Sequence, residues 1–222
     1  MDWTFYLERV LPVLNRGIWT SLALILPSAV LGLAGGILLG VARGFGPAWM
    51  RRAGDIYTAI FRGIPLIIQL FILYYALPKL GLYLDGFSAA VLGFILCSTA
   101  YHSEYVRGAV LSIKQGQFRA AQALGMSRLQ LAWNILIPQA LRRALPGCGN
   151  EIIYLIKYSS LAYLTTCVEL TGEAKILASR TFRYTEIFMA AGIYYLCLTS
   201  LASFLLRKTE DKLRIPGFGR PG

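Results

Sequence analysis

Residues 17–42 read Gly17-Ile-Trp-Thr-Ser-Leu-Ala-Leu-Ile-Leu-Pro27-Ser-Ala-Val-Leu-Gly32-Leu-Ala-Gly35-Gly36-Ile-Leu-Leu-Gly40-Val-Ala42, with no charged side chain. A helix needs roughly 20 mainly apolar residues to cross the hydrocarbon core at about 1.5 Å each, and this stretch has them. Pro27 and the glycines at 32, 35, 36 and 40 would weaken a helix in water. In lipid they are tolerated, and Gly35, Gly36 and Gly40 offer a flat surface to a neighbouring helix. Arg43-Gly-Phe-Gly-Pro47 ends the segment, with Arg51 and Arg52 beyond.

The rest of the 222-residue chain repeats the pattern. It is 56% hydrophobic and 15% charged, against about a quarter charged in soluble domains. A second apolar block, 56–77, is interrupted by Phe61-Arg-Gly-Ile-Pro65, where Gly and Pro should break the helix. A third covers 87–110 and carries His102, Ser103, Glu104 and Arg107. A fourth, 145–167, is unusually polar, with Asn150, Glu151, Lys157, Ser159 and Ser160; a fifth covers 187–206. The expectation is one all-α integral membrane domain over 1–222 with about five transmembrane helices.

Five crossings put the termini on opposite sides, and cationic residues collect on the cytoplasmic side. With the C-terminus inside, the inner segments and helix ends hold Arg43, Arg51, Arg52, Arg62, Arg107, Lys114, Arg119, Arg128, Arg142, Arg143, Arg207, Lys208, Lys212, Arg214 and Arg220. The outside holds Arg9, Arg16, Lys79, Lys175, Arg180 and Arg183. Fifteen against six, with Lys157 left in the membrane, places the N-terminus outside and the C-terminus in the cytoplasm. The same distribution accounts for the net charge of +11 without nucleic acid as a partner.

Between Leu111 and Arg143 the chain turns polar. Gln117-Phe-Arg-Ala-Ala-Gln-Ala-Leu-Gly-Met-Ser-Arg-Leu-Gln130 reads as two short helices around a sharp turn. Phe118, Ala121 and Leu124 give the first an apolar stripe. Gly125 stands at a left-handed C-cap, and Ser127 with Gln130 forms a capping box. Pro138 is expected to disrupt or end the second helix. Ala120, Ala121 and Ala123 form a thin surface for another protein, and a helix resting on lipid headgroups fits the spacing equally well. Farther on, Leu170, Ala174, Leu177, Ala178 and Phe182 predict a short amphipathic helix outside the membrane.

Ala120-Ala121, then Gly125, then Ile135-Leu-Ile-Pro138 resembles the EAA loop of permease subunits in binding-protein-dependent ABC importers. Phe61-Arg-Gly-Ile-Pro-Leu66, Ala100-Tyr101 with Glu104 and Arg107-Gly108, Pro138-Gln-Ala-Leu-Arg142, Glu169-Leu-Thr171 and Ala178-Ser-Arg-Thr-Phe182 look like its polar amino acid branch. The resemblance covers the chain from Gly17 to Leu206. It implies a subunit of an amino acid importer of the bacterial inner membrane, working by alternating access. The 116–138 loop would be the coupling helix, with Arg119, Ala120, Ala121, Gly125 and Pro138 meeting the ATPase. The implied partners are two ATPase subunits holding ATP and Mg, a second permease in a homo- or heterodimer, and a periplasmic or lipid-anchored binding protein. Two residues depart from the family's pattern: Arg119 replaces its usual Glu, and Tyr158 replaces the Asp of its Lys-Asp-Thr-Ser-Leu run.

The chain has no phosphate-binding G-x-x-x-x-G-K-[ST] loop, so ATP hydrolysis, all cofactors and all catalytic residues are assigned elsewhere. Cys97, Cys148, Cys167 and Cys197 form no CxxC pair, and with one histidine no metal site is expected. A charge at mid-membrane costs about 2.5–3.5 kcal/mol, so Glu104 and Lys157 need a reason. Either they line the substrate path, or they pair with each other or with Arg107. Tyr158, Ser159 and Ser160 either offer hydroxyls to substrate or bond helix to helix. His102 is read as a hydrogen-bonded helix contact.

Overall fold

A computed structural model describes residues 3–113 and 115–213. A one-turn α1 (Trp3–Phe5), a π-helical turn at Tyr6–Val10 and α2 (Leu11–Phe45) join into one helix of 43 residues. Pro27 lies inside it without ending it. A membrane helix accommodates such a residue because neighbouring helices and small polar side chains satisfy the freed backbone.

Next come α3 (Ala48–Gly63) and α4 (Leu66–Phe71), the latter carried on by short turns to Leu80. The break between α3 and α4 falls at Ile64-Pro65, as the sequence predicts, and bends the chain by 99°. Gln69 caps the break, its side-chain amide donating to Phe61 O (2.9 Å) and Ile64 O (2.8 Å). α5 (Gly86–Leu111) begins at Asp85, whose carboxylate accepts from Phe87 N (3.1 Å) and Ser88 N (3.4 Å). Ser88 holds the Asp85 carboxyl below the usual range.

The short helices α6 (Gln115–Ala123) and α7 (Arg128–Leu131) follow, then a π-helical turn at Ala132–Leu136 and α8 (Ile137–Tyr158). A 3₁₀ segment, Ser159–Thr165, leads to α9 (Leu170–Thr181) and the long α10 (Tyr184–Leu213). No strand occurs among the described residues.

α2 lies against α5 along glycines. A Cβ on Gly32 would strike Ser98, one on Gly36 would strike His102, and one on Gly40 would strike Val106. Gly35 faces Thr99 beside them. Residue numbers rise together, so α2 and α5 run in the same direction. Tyr57 bonding to Leu96 O and Leu70 meeting Gly93 set α3 and α4 the opposite way. α8 opposes α5 through His102 and Cys148, and α10 opposes α8 through Leu206 and Gly149. The described chain therefore crosses the bundle five times in alternating directions, with residues 3 and 213 on opposite faces.

Trp3–Phe45 and Tyr184–Leu213 are long and apolar enough to span a membrane on their own, and the bent pair makes a third as one broken span. α5 and α8 carry more polar groups, which the bundle buries: Ser98, His102, Ser103 and Glu151 are all interior.

α9 confirms the amphipathic helix but not its full stripe. Leu170, Ala174, Leu177 and Ala178 are buried against Val10, Leu14 and Ile187, so this face is used within the chain. Phe182 is instead 83% exposed, because it takes the left-handed C-cap position at φ 57°. Glu169 caps the helix, accepting from Thr171 N (2.8 Å), Gly172 N (3.0 Å), Tyr195 OH (3.0 Å) and Ser21 Oγ (3.5 Å). Burial pushes the Glu169 carboxyl above the usual range, while its donors pull the other way. One carboxylate thus ties α2, α9 and α10 together.

Gly36→Ala would press its Cβ onto His102 and the α5 backbone. The expected loss is about 1–3 kcal/mol, read as a lower unfolding midpoint in detergent. Gly192→Ala, which meets nothing within 4 Å, should be neutral or slightly stabilising in the same assay.

Candidate functional site: a coupling turn and a polar pocket

The segment between α5 and α8 forms two rigid turns in succession. α6 ends in a Schellman motif: Met126 N donates to Ala121 O (3.1 Å) and Gly125 N to Gln122 O (3.0 Å), with Gly125 at φ 72°. The capping box then starts α7. Ser127 N donates to Gln130 Oε1 (2.9 Å), and Gln130 N returns a bond to Ser127 Oγ (3.3 Å). Both features were legible in the sequence.

Two details differ from expectation. Ala121 is only 2% exposed and packs with Val106, Ala109, Val110 and Leu136, so it is the foot of α6 rather than part of an outer face. Leu124 lies past the helix end in the turn and is 81% exposed, so no continuous Phe118–Ala121–Leu124 stripe is buried. Pro138 disrupts the helix without ending it, one of the two outcomes expected. It sits in the first turn of α8, and the π-helical turn just before it widens the backbone where the proline lacks an N–H. Phe118, Arg119, Ala120, Ala123, Leu124 and Gly125 remain on the surface as one convex knob.

The knob is braced from behind. Gln139 Nε2 donates to Gln117 Oε1 (2.9 Å), and Arg143 Nη1 donates to Ser112 O (2.8 Å) and Ser112 Oγ (2.9 Å). These bonds tie the segment to the end of α5 and the start of α8.

Above it, α2, α3 and α5 share a charge cluster. The Arg43 side chain, 4% exposed, donates to Asp55 Oδ1 (2.7 and 2.9 Å), Glu104 Oε1 (2.6 Å) and Ser103 Oγ (3.0 Å). Arg107 holds the other Glu104 oxygen at 2.9 Å, and Arg62 approaches it to 3.7 Å. Glu104 therefore pairs with three arginines and not with Lys157. Lys157 is exposed, its ammonium 5.3 Å from the Tyr154 ring centroid. Ser159 and Ser160 donate to Ile156 O and Lys157 O in their own helix, both at 2.7 Å. His102 lies between α5 and α8, with Nδ1 2.8 Å from Ser98 O and Nε2 3.2 Å from Cys148 O.

The break between α3 and α4 opens a pocket of about 300 Å³, lined by Phe61, Arg62, Pro65, Leu66, Cys97, Tyr101, Tyr158 and Leu161. The Arg62 guanidinium lies 5.2 Å from the Tyr101 ring centroid. Of the residues expected on a substrate path, Tyr158 lines this pocket, and Glu104 reaches it through Arg62. Glu151, on α8, is a carboxylate the sequence did not single out for the site, and it is only 3% exposed. It lies on a helical row with Ala144, Cys148 and Leu155, all buried. That row was the available signal, a carboxylate on the most apolar face of α8.

Residues 32–215 match the family model described as "Binding-protein-dependent transport system inner membrane component". The chain belongs to that family. It is the permease subunit of an ABC importer, a transport subunit whose ATPase is a separate chain. The permease is 37% identical over 211 residues to the glutamine transport system permease protein GlnP of Escherichia coli K12, covering 89% of this chain and 96% of that one. It is 35% identical over 208 residues to the arginine transport system permease protein ArtQ of Bacillus subtilis, covering 92% and 94%. Among solved structures it superimposes on an amino acid ABC transporter with a TM-score of 0.88 at 28% identity, over 96% of this permease and 99% of that chain. The inward-facing MetNI methionine transporter shares the fold, with a TM-score of 0.81 at 22% identity over 94% and 99%.

Removing the central cation of the cluster should be costly, because Asp55 and Glu104 would lose their shared partner. Arg43→Met is expected to destabilise the permease by about 3 kcal/mol, the lower end for a broken buried pair, since Asp55 is half-exposed. Adding Asp55→Asn should recover part of that loss in thermal unfolding. Equal midpoints for wild type and Arg43→Met would contradict the assignment.

Proposed function

We propose that this permease carries a polar amino acid into the bacterial cytoplasm, coupling its alternating access to a separate ATPase through the knob at residues 117–138. The observation that carries the reading is the knob itself. It is held rigid by a Schellman turn and a capping box, exposes Phe118, Arg119, Ala120, Ala123 and Leu124, and is braced to both α5 and α8. A surface of this shape suits a groove on a partner protein better than a lipid headgroup layer, which needs no rigid turn. The names of the relatives, glutamine and arginine permeases, support the substrate class.

Substrate would pass the pocket at the α3–α4 break. Arg62 suits an α-carboxylate there, and Tyr158 offers a phenol. Glu104 keeps Arg62 company rather than meeting substrate alone. The absence of the family's Asp at position 158 removes one anion that a cationic side chain would seek, which favours a neutral or acidic cargo.

The orientation follows from charge. Arg43, Arg62 and Arg107 belong to the ion-pair cluster, and Lys114, Arg214 and Arg220 lie outside the described residues. Setting all six aside still leaves the knob's face of the bundle richer in cations than the opposite face, so the knob is cytoplasmic, with the N-terminus outside and the C-terminus inside. A second permease subunit would complete the path. Two ATPase subunits, binding ATP and Mg, would seat on the knobs, and a substrate-binding protein would approach the α9 face.

The permease reconstituted in proteoliposomes with its ATPase and binding protein should take up amino acid only when ATP is supplied on the knob side. Uptake driven by a proton gradient without ATP would overturn the reading. Arg119→Glu and Leu124→Asp alter only exposed side chains of the knob. Each is expected to lower substrate-stimulated ATP hydrolysis about tenfold or more, with the unfolding midpoint unchanged; full stimulation in both would remove the knob from the coupling contact.

A further inference from the structure

A second cavity, of about 480 Å³, lies between α2, α8 and α10, away from the polar pocket. Leu33, Leu145, Ile152, Ala202 and Leu206 line it, and its wall is almost wholly apolar. It begins at the knob's face of the bundle, where Arg142 and Thr209 stand at its mouth, and runs along α8 from position 141 to 153. Twelve residues of helix are about 18 Å long, close to the depth of one leaflet's hydrocarbon. A groove one leaflet deep, apolar along its length and cationic at the interface, matches one lipid molecule.

Arg142 is exposed, and no ion pair or hydrogen bond to a described residue engages its guanidinium. Its neighbour differs: Arg143 is bound to Ser112. On α10, Arg207, Lys208 and Lys212 add positive charge at the same depth, against Glu210 and Asp211. The balance at the mouth is cationic, so the groove complements an anionic headgroup rather than a zwitterionic one.

We propose that this groove is a binding site for one anionic phospholipid of the leaflet on the knob side, with an acyl chain between α8 and α10 and its phosphate on Arg142. The lipid would brace α10 against α8 beside the turn that carries the coupling knob.

The test titrates the full-length permease in mild detergent with dioleoyl phosphatidylglycerol or dioleoyl phosphatidylcholine and counts bound lipid by native mass spectrometry. Wild type should bind phosphatidylglycerol about fivefold more tightly, the effect of one interfacial cation. Arg142→Gln should bring that affinity down to the phosphatidylcholine level, and Arg142→Lys should keep the preference. Ala202→Phe, which fills the groove, should weaken both lipids. Equal affinities in wild type, or a preference that survives Arg142→Gln, would overturn the proposal. So would an Ala202→Phe variant that becomes monomeric with lipid binding unchanged, since the groove would then seat a second copy of the chain.

Discussion

Gly32, Gly36 and Gly40 let the backbone of α2 press directly on Ser98, His102 and Val106 of α5, and the bundle is arranged around that approach. Between membrane helices the hydrophobic effect contributes little, because lipid is as apolar as leucine, so close packing must supply the attraction. The same register delivers Arg43, one turn beyond Gly40, to Ser103 and Glu104. A larger residue at Gly40 would move the guanidinium away from its carboxylates. The small-residue face is thus a packing surface and also the device that positions the charge cluster.

The cluster shows how a bundle of this kind keeps ions. A charge in hydrocarbon is costly, and relief comes from a partner held in fixed geometry. Arg43 meets two carboxylates and a hydroxyl, while Glu104 meets three arginines. With three cations against two carboxylates, the cluster keeps a surplus of positive charge. Arg62, the most loosely held member, is the one that faces the pocket at the helix break. Its freedom follows from the tighter bonds that Arg43 and Arg107 make to the same carboxylate.

Much of this was legible in the sequence because the signals were local. The break at Gly63 and Pro65, the left-handed Gly125 and the Ser127–Gln130 box each depend on a few adjacent residues, and all three stand in the structure as read. What failed depended on distant partners. The spacing of Phe118, Ala121 and Leu124 could not reveal that Ala121 meets α5 while Leu124 falls in the turn. At Pro138 the sequence left disruption and termination both open, because a π-helical turn leaves no sequence signature to decide between them. At the pocket, Lys157 drew notice as a cation in an apolar block, yet its face of α8 is exposed. Glu151 is the buried carboxylate of that helix, and it stands out only once Ala144, Cys148 and Leu155 are seen to share its buried row.

The path from knob to pocket is short and mostly rigid. Ala121 shares one buried apolar cluster with residues of α5 and α8, and Arg143 is bonded to Ser112 just past the end of α5, so α6 is tied to both helices. His102 fixes the same two helices to one another at mid-bundle through Ser98 and Cys148. On the proposed coupling, a push on the knob would arrive at Tyr101 and Tyr158 through these two helices together. The chain can yield where regular hydrogen bonding is already interrupted: at Ile64-Pro65 between α3 and α4, and at Thr166, held in the left-handed region at φ 63° before α9. Both interruptions flank the pocket side of the α5–α8 pair, and a helix that bends elsewhere would have to break intact backbone bonds in lipid. The break at Ile64-Pro65 lies at the boundary where Arg62 and Tyr158 line the pocket.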